Sequence, residues 1–413
     1  MSTLLEDCKT ILETAIARVQ PDAAVRRALQ AFDLGHGRCV LLSVGKAAWE
    51  MARAAWEALP GRIDCGAVIT KHGYAKGPIG PLEIYEAGHP VPDADTFAAT
   101  ARALEMTAGL RAEDCVLFLL SGGGSALFES PLLPAQELQE ITQQLLKSGA
   151  NIVEMNTVRK RLSAVKGGRF AAHCAPARVL SVVLSDILGD PLDMIASGPA
   201  CADPSTCAQA LQVAETYGLH LSDTAQKLLR TETPKTLRNT ETQITGSVRE
   251  LCRAACDACE ALGYKPVLLT DSLCCEAREA GSFLGSVART HAETGVPLAF
   301  VAGGETVVHV TGTGLGGRNQ ELALAAAVPL AGLANAAVFS AGSDGTDGPT
   351  DAAGGFADGE TADRLSACGF LIPAVLREND AYHALAACGG LLKTGPTGTN
   401  VNDVAVALVR AKN

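Results

Sequence analysis

The sequence predicts a doubly wound α/β architecture repeated in two domains, and three observations carry that expectation. Short apolar runs alternate with helical patterns along nearly the whole chain, the arrangement from which parallel sheets are built. Aromatic residues make up only 4% while glycine numbers 42, a balance that suits Ala/Leu/Val-rich layers joined by glycine-rich strand-to-helix turns. The 413 residues, 47% of them hydrophobic, are enough for two to three domains with substantial cores.

The first helical pattern runs from Leu4 to Phe32 and breaks at Pro21, since proline removes a helical hydrogen bond. Cys39 to Val44 reads as a buried strand that ends in Gly45 and Lys46 and opens directly into a helix over Ala47 to Leu59. Further strands are expected at Gly66 to Thr70, Leu82 to Tyr85, Val116 to Leu120 and Val179 to Leu184. The polar, threonine-rich stretch Thr231 to Thr245, with Pro234 inside it, is the best linker candidate. It divides the chain into domains over 1–238 and 239–413, with the amino-terminal helices candidates for packing on the second. The second series of strands is expected at Pro266 to Thr270, Leu298 to Ala302, Thr306 to Val310 and Ala337 to Ala341.

Several function classes are disfavoured at once. A net charge of -11 argues against a general nucleic-acid binder. Glu6 and Asp7 stand where a secretory signal would need an apolar run, so the expected location is the cytoplasm. The uncharged run Leu322 to Phe339 is interrupted by Pro329, Gly332 and Asn335, and reads as a buried helix followed by a buried strand, not a membrane span. Cys252, Cys256 and Cys259 have a spacing that nominally suits an iron–sulfur cluster, but they fall inside a helical pattern with no fourth ligand nearby, so a helical cysteine face is the expectation.

Open α/β sheets bind ligands beyond the carboxyl ends of their strands, which singles out Lys46, the loop Ser121 to Ser125, Asp186, Glu305 and Asp344. The glycines Gly122, Gly123 and Gly124 let backbone amides approach an anion; the competing reading is a tight turn without ligand. Lys46 is either a point charge toward phosphate or carboxylate or a surface lysine. Asp186 can take a hydroxyl proton, hold a metal or cap a helix. The stretch Asn156 to Arg169 gathers five cations; read helically, Arg159, Ser163 and Lys166 share one face, which suits a multiply charged anion or else a solvated basic surface. A G-x-G-x-x-G pattern spans Gly312 to Gly317, but no acid follows at the dinucleotide spacing and Arg318 opens the next helix, so Arg318 reads as an anion clamp. Asp344, Asp347 and Asp351 offer carboxylates for magnesium, or form a turn-rich loop. His89, before Pro90, reads as structural.

Taken together, Asn156 to Lys160, Lys166 to Gly168, Leu184 to Pro191 with Ala196 to Pro199, Gly317 to Glu321, Asp344 to Asp351 and Thr394 to Asn400 resemble, in order and over nearly the whole chain, the class II glycerate kinases: glycerate 2-kinases carrying a MOFRL domain. The resemblance implies two α/β domains with mainly parallel sheets, a larger Rossmann-like amino-terminal one and a smaller carboxy-terminal MOFRL-type one, with the active site in a cleft between them. It also implies transfer of a phosphoryl group from ATP, with Mg²⁺, to the 2-hydroxyl of D-glycerate. On that reading Lys46, Asp186 and Arg318 match catalytic positions. Ser121, Gly122, Gly123, Gly124, Ser125, Lys160 and Lys166 are assigned to nucleotide phosphates, Asn156, Arg159 and Asn319 to the substrate, and Asp344 or Asp347 to the metal. Some relatives are labelled hydroxypyruvate reductases, which leaves an NAD(P)H-dependent alternative.

Overall fold

The computed structural model describes residues 3–412, which form two compact units, each around one six-stranded sheet.

The parallel-sheet unit comprises Ala24–Leu184 and Asp190–Thr245. Its strands are β1 (Cys39–Val44), β2 (Cys65–Lys71), β3 (Leu82–Ala87), β4 (Cys115–Leu120), β5 (Arg178–Leu184) and β6 (Thr240–Gly246), in the order β3-β2-β1-β4-β5-β6. β1 pairs in parallel with both β2 and β4, and all its residues are buried. That is why it reads as an apolar run broken only by Ser43, whose hydroxyl donates to the Ala48 carbonyl at 2.7 Å: helices cover both faces of such a sheet. The chain leaves β1 toward β2 on one side and reaches β4 on the other. The carboxyl ends of β1 and β4 therefore flank the point where strand order reverses, the place where open α/β sheets form a ligand crevice. β6 occupies the second half of the stretch expected to be a linker. An edge strand tolerates a polar sequence, and only its last residues, Thr245 and Gly246, are buried.

The mixed-sheet unit comprises the chain up to Ala23, Ser185–Gly189 and the chain from Gly246 onward. Its strands are β7 (Lys265–Leu273), β8 (Leu298–Gly304), β9 (Ala336–Gly342), β10 (Gly354–Asp358), β11 (Leu391–Leu392) and β12 (Asp403–Val409), ordered β11-β10-β9-β12-β8-β7. The α/β expectation holds for both units, but this second sheet is mixed. Only β7 and β8 pair in parallel; β12 inserts between β8 and β9 antiparallel to both, and β10 is antiparallel to β9 and β11. A loop without a helix joins β9 to β10, too short a path for the crossover that parallel neighbours require. The strand expected at Thr306 to Val310 is absent apart from a single bridge between Glu276 and Val307. Thr306 is buried and Val308 packs on the core, but Val307 and Val310 are 53% and 75% exposed, so the segment makes no ladder.

The helix Leu4–Arg18 begins with a capping box between Thr3 and Glu6. Its apolar face, Cys8, Ile11, Leu12 and Ala15, joins a core with Leu251, Cys252, Ala255 and Cys259 of the helix Val248–Ala261. Burial pushes the Cys252 and Cys259 thiols up to about 12, so they are packing groups and not thiolate ligands. The uncharged run forms the helix Arg318–Leu330 followed by β9. Among the described residues, no helix is long and apolar enough to cross a membrane.

Candidate active site

In the parallel-sheet unit the strand ends build an anion-receptive surface. After β1, the Lys46 amide donates to the Gly122 carbonyl at 2.9 Å and the Ala47 amide to Ser121 Oγ at 3.1 Å. These bonds pin the turn after β1 to the loop after β4. Gly45 has φ +123°, and a Cβ there would lie 2.2 Å from Ser121 Oγ, so only glycine lets the two turns approach this closely. The loop then leads into a single helical turn, Gly124–Leu127, shorter than the helix the sequence suggests, so little helix dipole stands behind it. Among the described residues, nothing accepts a hydrogen bond from the amides of Gly122, Gly123, Gly124 or Ser125. Consecutive backbone donors left open beside an exposed lysine are the donor set that oxyanions use. Lys71, the last residue of β2, and His89, just after β3, come from the neighbouring strand ends.

The basic stretch lies largely beneath this loop instead of beside a ligand. The helix Ile152–Arg159 passes into one 3-10 turn, Lys160–Leu162, and Ser163 is extended, so Arg159, Ser163 and Lys166 do not share a helical face. Lys160 is buried and paired with Asp193 at 2.9 Å and Asp203 at 3.2 Å. Lys166 is buried too: its Nζ donates to the carbonyls of Ser125 at 2.9 Å and Phe128 at 3.0 Å and lies 3.4 Å from Glu129. Two of the three donors of this ammonium thus bond carbonyls, and Glu129 supplies the counter-charge. Burial lowers Lys166 to about 8 despite Glu129. Both lysines are therefore props of the fold, a correction to their assignment to phosphate. Asn156 is likewise occupied: its Oδ1 accepts from Ser197 Oγ at 2.9 Å, and that hydroxyl lies 3.2 Å from Ser125 Oγ. Arg159 is half-buried, donates to the Ser125 carbonyl at 3.3 Å, and keeps an unpartnered Nε. Arg169, also half-buried, keeps Nε and Nη2 without a partner, so these two arginines retain capacity for a ligand.

The second set of residues lies within the mixed-sheet unit. Arg318 opens its helix and donates through Nε and Nη2 to Asp403 at 2.5 and 3.1 Å. Its Nη1 lies 3.2 Å from Glu305, just after β8. Burial alone would lower the guanidinium pKa, but Asp403 and Glu305 more than offset this and raise it. Three of its five donors are used, and the side chain is 34% exposed. Asn402 Nδ2 donates both to Glu305 and to the Asp186 carbonyl, each at 3.2 Å. Asp186 is half-buried at the end of this chain of contacts.

Asn319 and Asp347 are spoken for. Asp347 accepts from the amides of Asn319 at 3.1 Å and Gln320 at 2.9 Å, capping the helix, and Asn319 bonds Asp347 and Ser340 through its side chain. Burial raises Asp347 to about 6. Asp344 is half-buried, with Oδ1 accepting from the Thr346 amide at 2.9 Å. Thr397 of the Thr394 to Asn400 loop braces this turn through the Ser343 carbonyl at 2.6 Å. Among the described residues, the one convergent group of three metal-type ligands is His72, Asp93 and Asp95, away from these positions in sequence and in the other unit.

The G-x-G-x-x-G segment behaves unlike the Ser121 to Ser125 loop. The Thr311 and Gly312 amides donate to Asn379 Oδ1 at 2.8 and 2.9 Å, the Gly314 amide to the Glu378 carbonyl at 2.8 Å, and the Leu315 amide to Asp380 at 3.0 Å. A Cβ on Gly312 would lie 2.3 Å from the Glu378 carbonyl oxygen. These glycines admit the chain's own backbone and leave few donors for a pyrophosphate.

Residues 7–230 match the model of a domain of unknown function, DUF4147, and residues 298–403 match the MOFRL family. The chain is 52% identical to a D-glycerate 2-kinase of Thermotoga maritima, over 97% of each chain. The chain belongs to the MOFRL-type glycerate 2-kinase family. A glycerate 2-kinase of Pyrococcus horikoshii is 41% identical over 91% of this chain and 88% of its own. The crystal structure of a Thermotoga maritima glycerate kinase superimposes with a TM-score of 0.93 at 50% identity, covering 98% of this chain and 99% of that one. Within this member of the glycerate 2-kinase family, sequence reasoning overlooked Lys71, Asn402 and Asp403 and reads His89 as structural. The strand-end rule that found Lys46 would also have found Lys71 and His89. Asp403 opens an Ala/Val strand near the carboxyl terminus and gives no such signal.

Proposed function

We propose that the protein is a glycerate kinase that transfers the γ-phosphoryl group of ATP to the 2-hydroxyl of D-glycerate, giving 2-phosphoglycerate and ADP. The observation that carries this reading is the row of open amides from Gly122 to Ser125 beside Lys46 at the strand-order reversal. Phosphoryl transfer asks a protein mainly for positioning and charge neutralisation, and such donors are fixed before the ligand arrives.

In this mechanism the loop amides and Lys46 hold phosphate oxygens. Arg318, kept charged and oriented by Asp403 and Glu305, turns its two remaining N–H groups to an anionic oxygen of the substrate or of the transferring phosphoryl group. Asp186 orients the 2-hydroxyl and takes its proton. Magnesium fits through a single carboxylate, because this ion commonly binds through one or two carboxylates and the substrate phosphates. Asp344 would hold it, since Asp347 is committed to its helix. When bound, the ion neutralises charge on the phosphate oxygens.

The alternative, NAD(P)H-dependent reduction of hydroxypyruvate, would need the Gly312 to Gly317 segment to receive a pyrophosphate, and its amides are engaged with Asn379, Glu378 and Asp380. Two assays separate the readings: ADP release with ATP, Mg²⁺ and D-glycerate, and NADH oxidation with hydroxypyruvate. Glycerate-dependent ADP release is expected. Hydroxypyruvate-dependent NADH oxidation without it would overturn the proposal.

A further inference from the structure

His89 is half-buried, and its ring forms no hydrogen bond among the described residues. It nevertheless has a defined seat. A Cβ built on Gly123 would lie 3.0 Å from His89 Cδ2, 3.2 Å from Nε2 and 3.4 Å from Lys46 Cγ. The Cδ2–Nε2 edge of the ring thus rests on the loop glycine whose open amide neighbours Lys46. Gly123 has φ +88°, so a side chain there would be strained and would press on the ring. Burial, then the positive charges of Lys46 and Lys71, lower the His89 pKa, which keeps the imidazole neutral near pH 7 with one donor and one acceptor nitrogen. A polar ring held against the open loop beside Lys46 and within the field of Lys71, without a protein partner among the described residues, has the surroundings of a ligand contact and not of a satisfied core histidine.

We propose that His89 and Lys71 complete the oxyanion site of Lys46 and the Gly122–Gly124 loop, with a His89 ring nitrogen donating a hydrogen bond to a carboxylate or phosphate oxygen of the bound ligand. This rests on the kinase reading for its two candidate ligands, D-glycerate and ATP, which share the anionic oxygen that the site recognises. Lys71 contributes charge from the end of β2, and His89 contributes direction, which a lysine point charge lacks.

The test is calorimetric titration of wild type, H89A, H89Q and K71M with D-glycerate and, separately, with Mg²⁺-ATP, alongside thermal unfolding of each. In H89A, affinity for one ligand should fall about tenfold, the scale of a lost hydrogen bond to a charged group, while the other stays within about twofold. H89Q, which keeps a donor, should recover most of the loss, and K71M should weaken the same ligand. Loss confined to D-glycerate assigns the site to its carboxylate; loss confined to ATP assigns it to the phosphates. Unchanged affinity for both ligands in a folded H89A would overturn the proposal, as would a loss that tracks a lowered melting temperature and is not rescued in H89Q. If wild type binds ATP without phosphorylating glycerate, the kinase reading fails, while the His89 assignment is still decided by ATP affinity.

Discussion

Asp403 grips Arg318 at two points, Nε at 2.5 Å and Nη2 at 3.1 Å, from the first residue of a strand that lies at the centre of its sheet. The paired contact uses the planar fork that distinguishes arginine from lysine. R318K keeps the charge and loses the fork, so turnover should fall by one to three orders of magnitude, roughly 1.4 to 4 kcal/mol in activation free energy. Steady-state kinetics on a variant with unchanged melting temperature decides this; near-normal turnover would remove Arg318 from the reaction.

Asp186 carries the proton in this account. D186N should bind D-glycerate with little change and lose turnover by at least about a hundredfold, the scale of general-base catalysis. Glycerate affinity and single-turnover rates should be measured together. If turnover returns at high Mg²⁺, Asp186 is a metal ligand instead of a base.

Lys166 is a support and not a contact. K166A leaves Glu129 buried without its cation, and breaking such a pair costs about 3–5 kcal/mol. K166M combined with E129Q removes both charges and should unfold at higher urea than K166A. Urea denaturation of the three proteins checks the order; equal midpoints would mean that the pair carries no stability.

Asp347 makes a prediction with a definite sign. Its folded pKa is about 6 against an ordinary 3.8, so between these values the folded state binds more protons than the unfolded state. Its contribution is therefore fully present below the ordinary value and is lost as pH rises through 6, on the order of 3 kcal/mol in all. The stability difference between wild type and D347N should drift in favour of D347N from pH 4 to pH 7 and flatten above it. A flat difference across that range would show that Asp347 is already ionised at pH 4.

The central strands of the parallel sheet were legible because burial on both faces leaves mostly apolar residues, as in β1, where the expected and observed limits coincide at Cys39 and Val44. β6 was hidden by its polar edge position. The strand-end rule located Lys46, the glycine loop, Asp186 and Glu305. The basic stretch misled for a physical reason. A lysine's charge is local in sequence, whereas the carboxylates that neutralise Lys160, Asp193 and Asp203, lie 33 and 43 residues away and become its partners only on folding. His89 was set aside as structural because a lone histidine shows its surroundings only once Gly123 is packed beneath it.

The most direct measurement is ³¹P NMR of the purified protein incubated with ATP, Mg²⁺ and D-glycerate. The account predicts a growing resonance of 2-phosphoglycerate matched by conversion of ATP to ADP. A resonance of 3-phosphoglycerate, or ATP left intact with D-glycerate present, would contradict it.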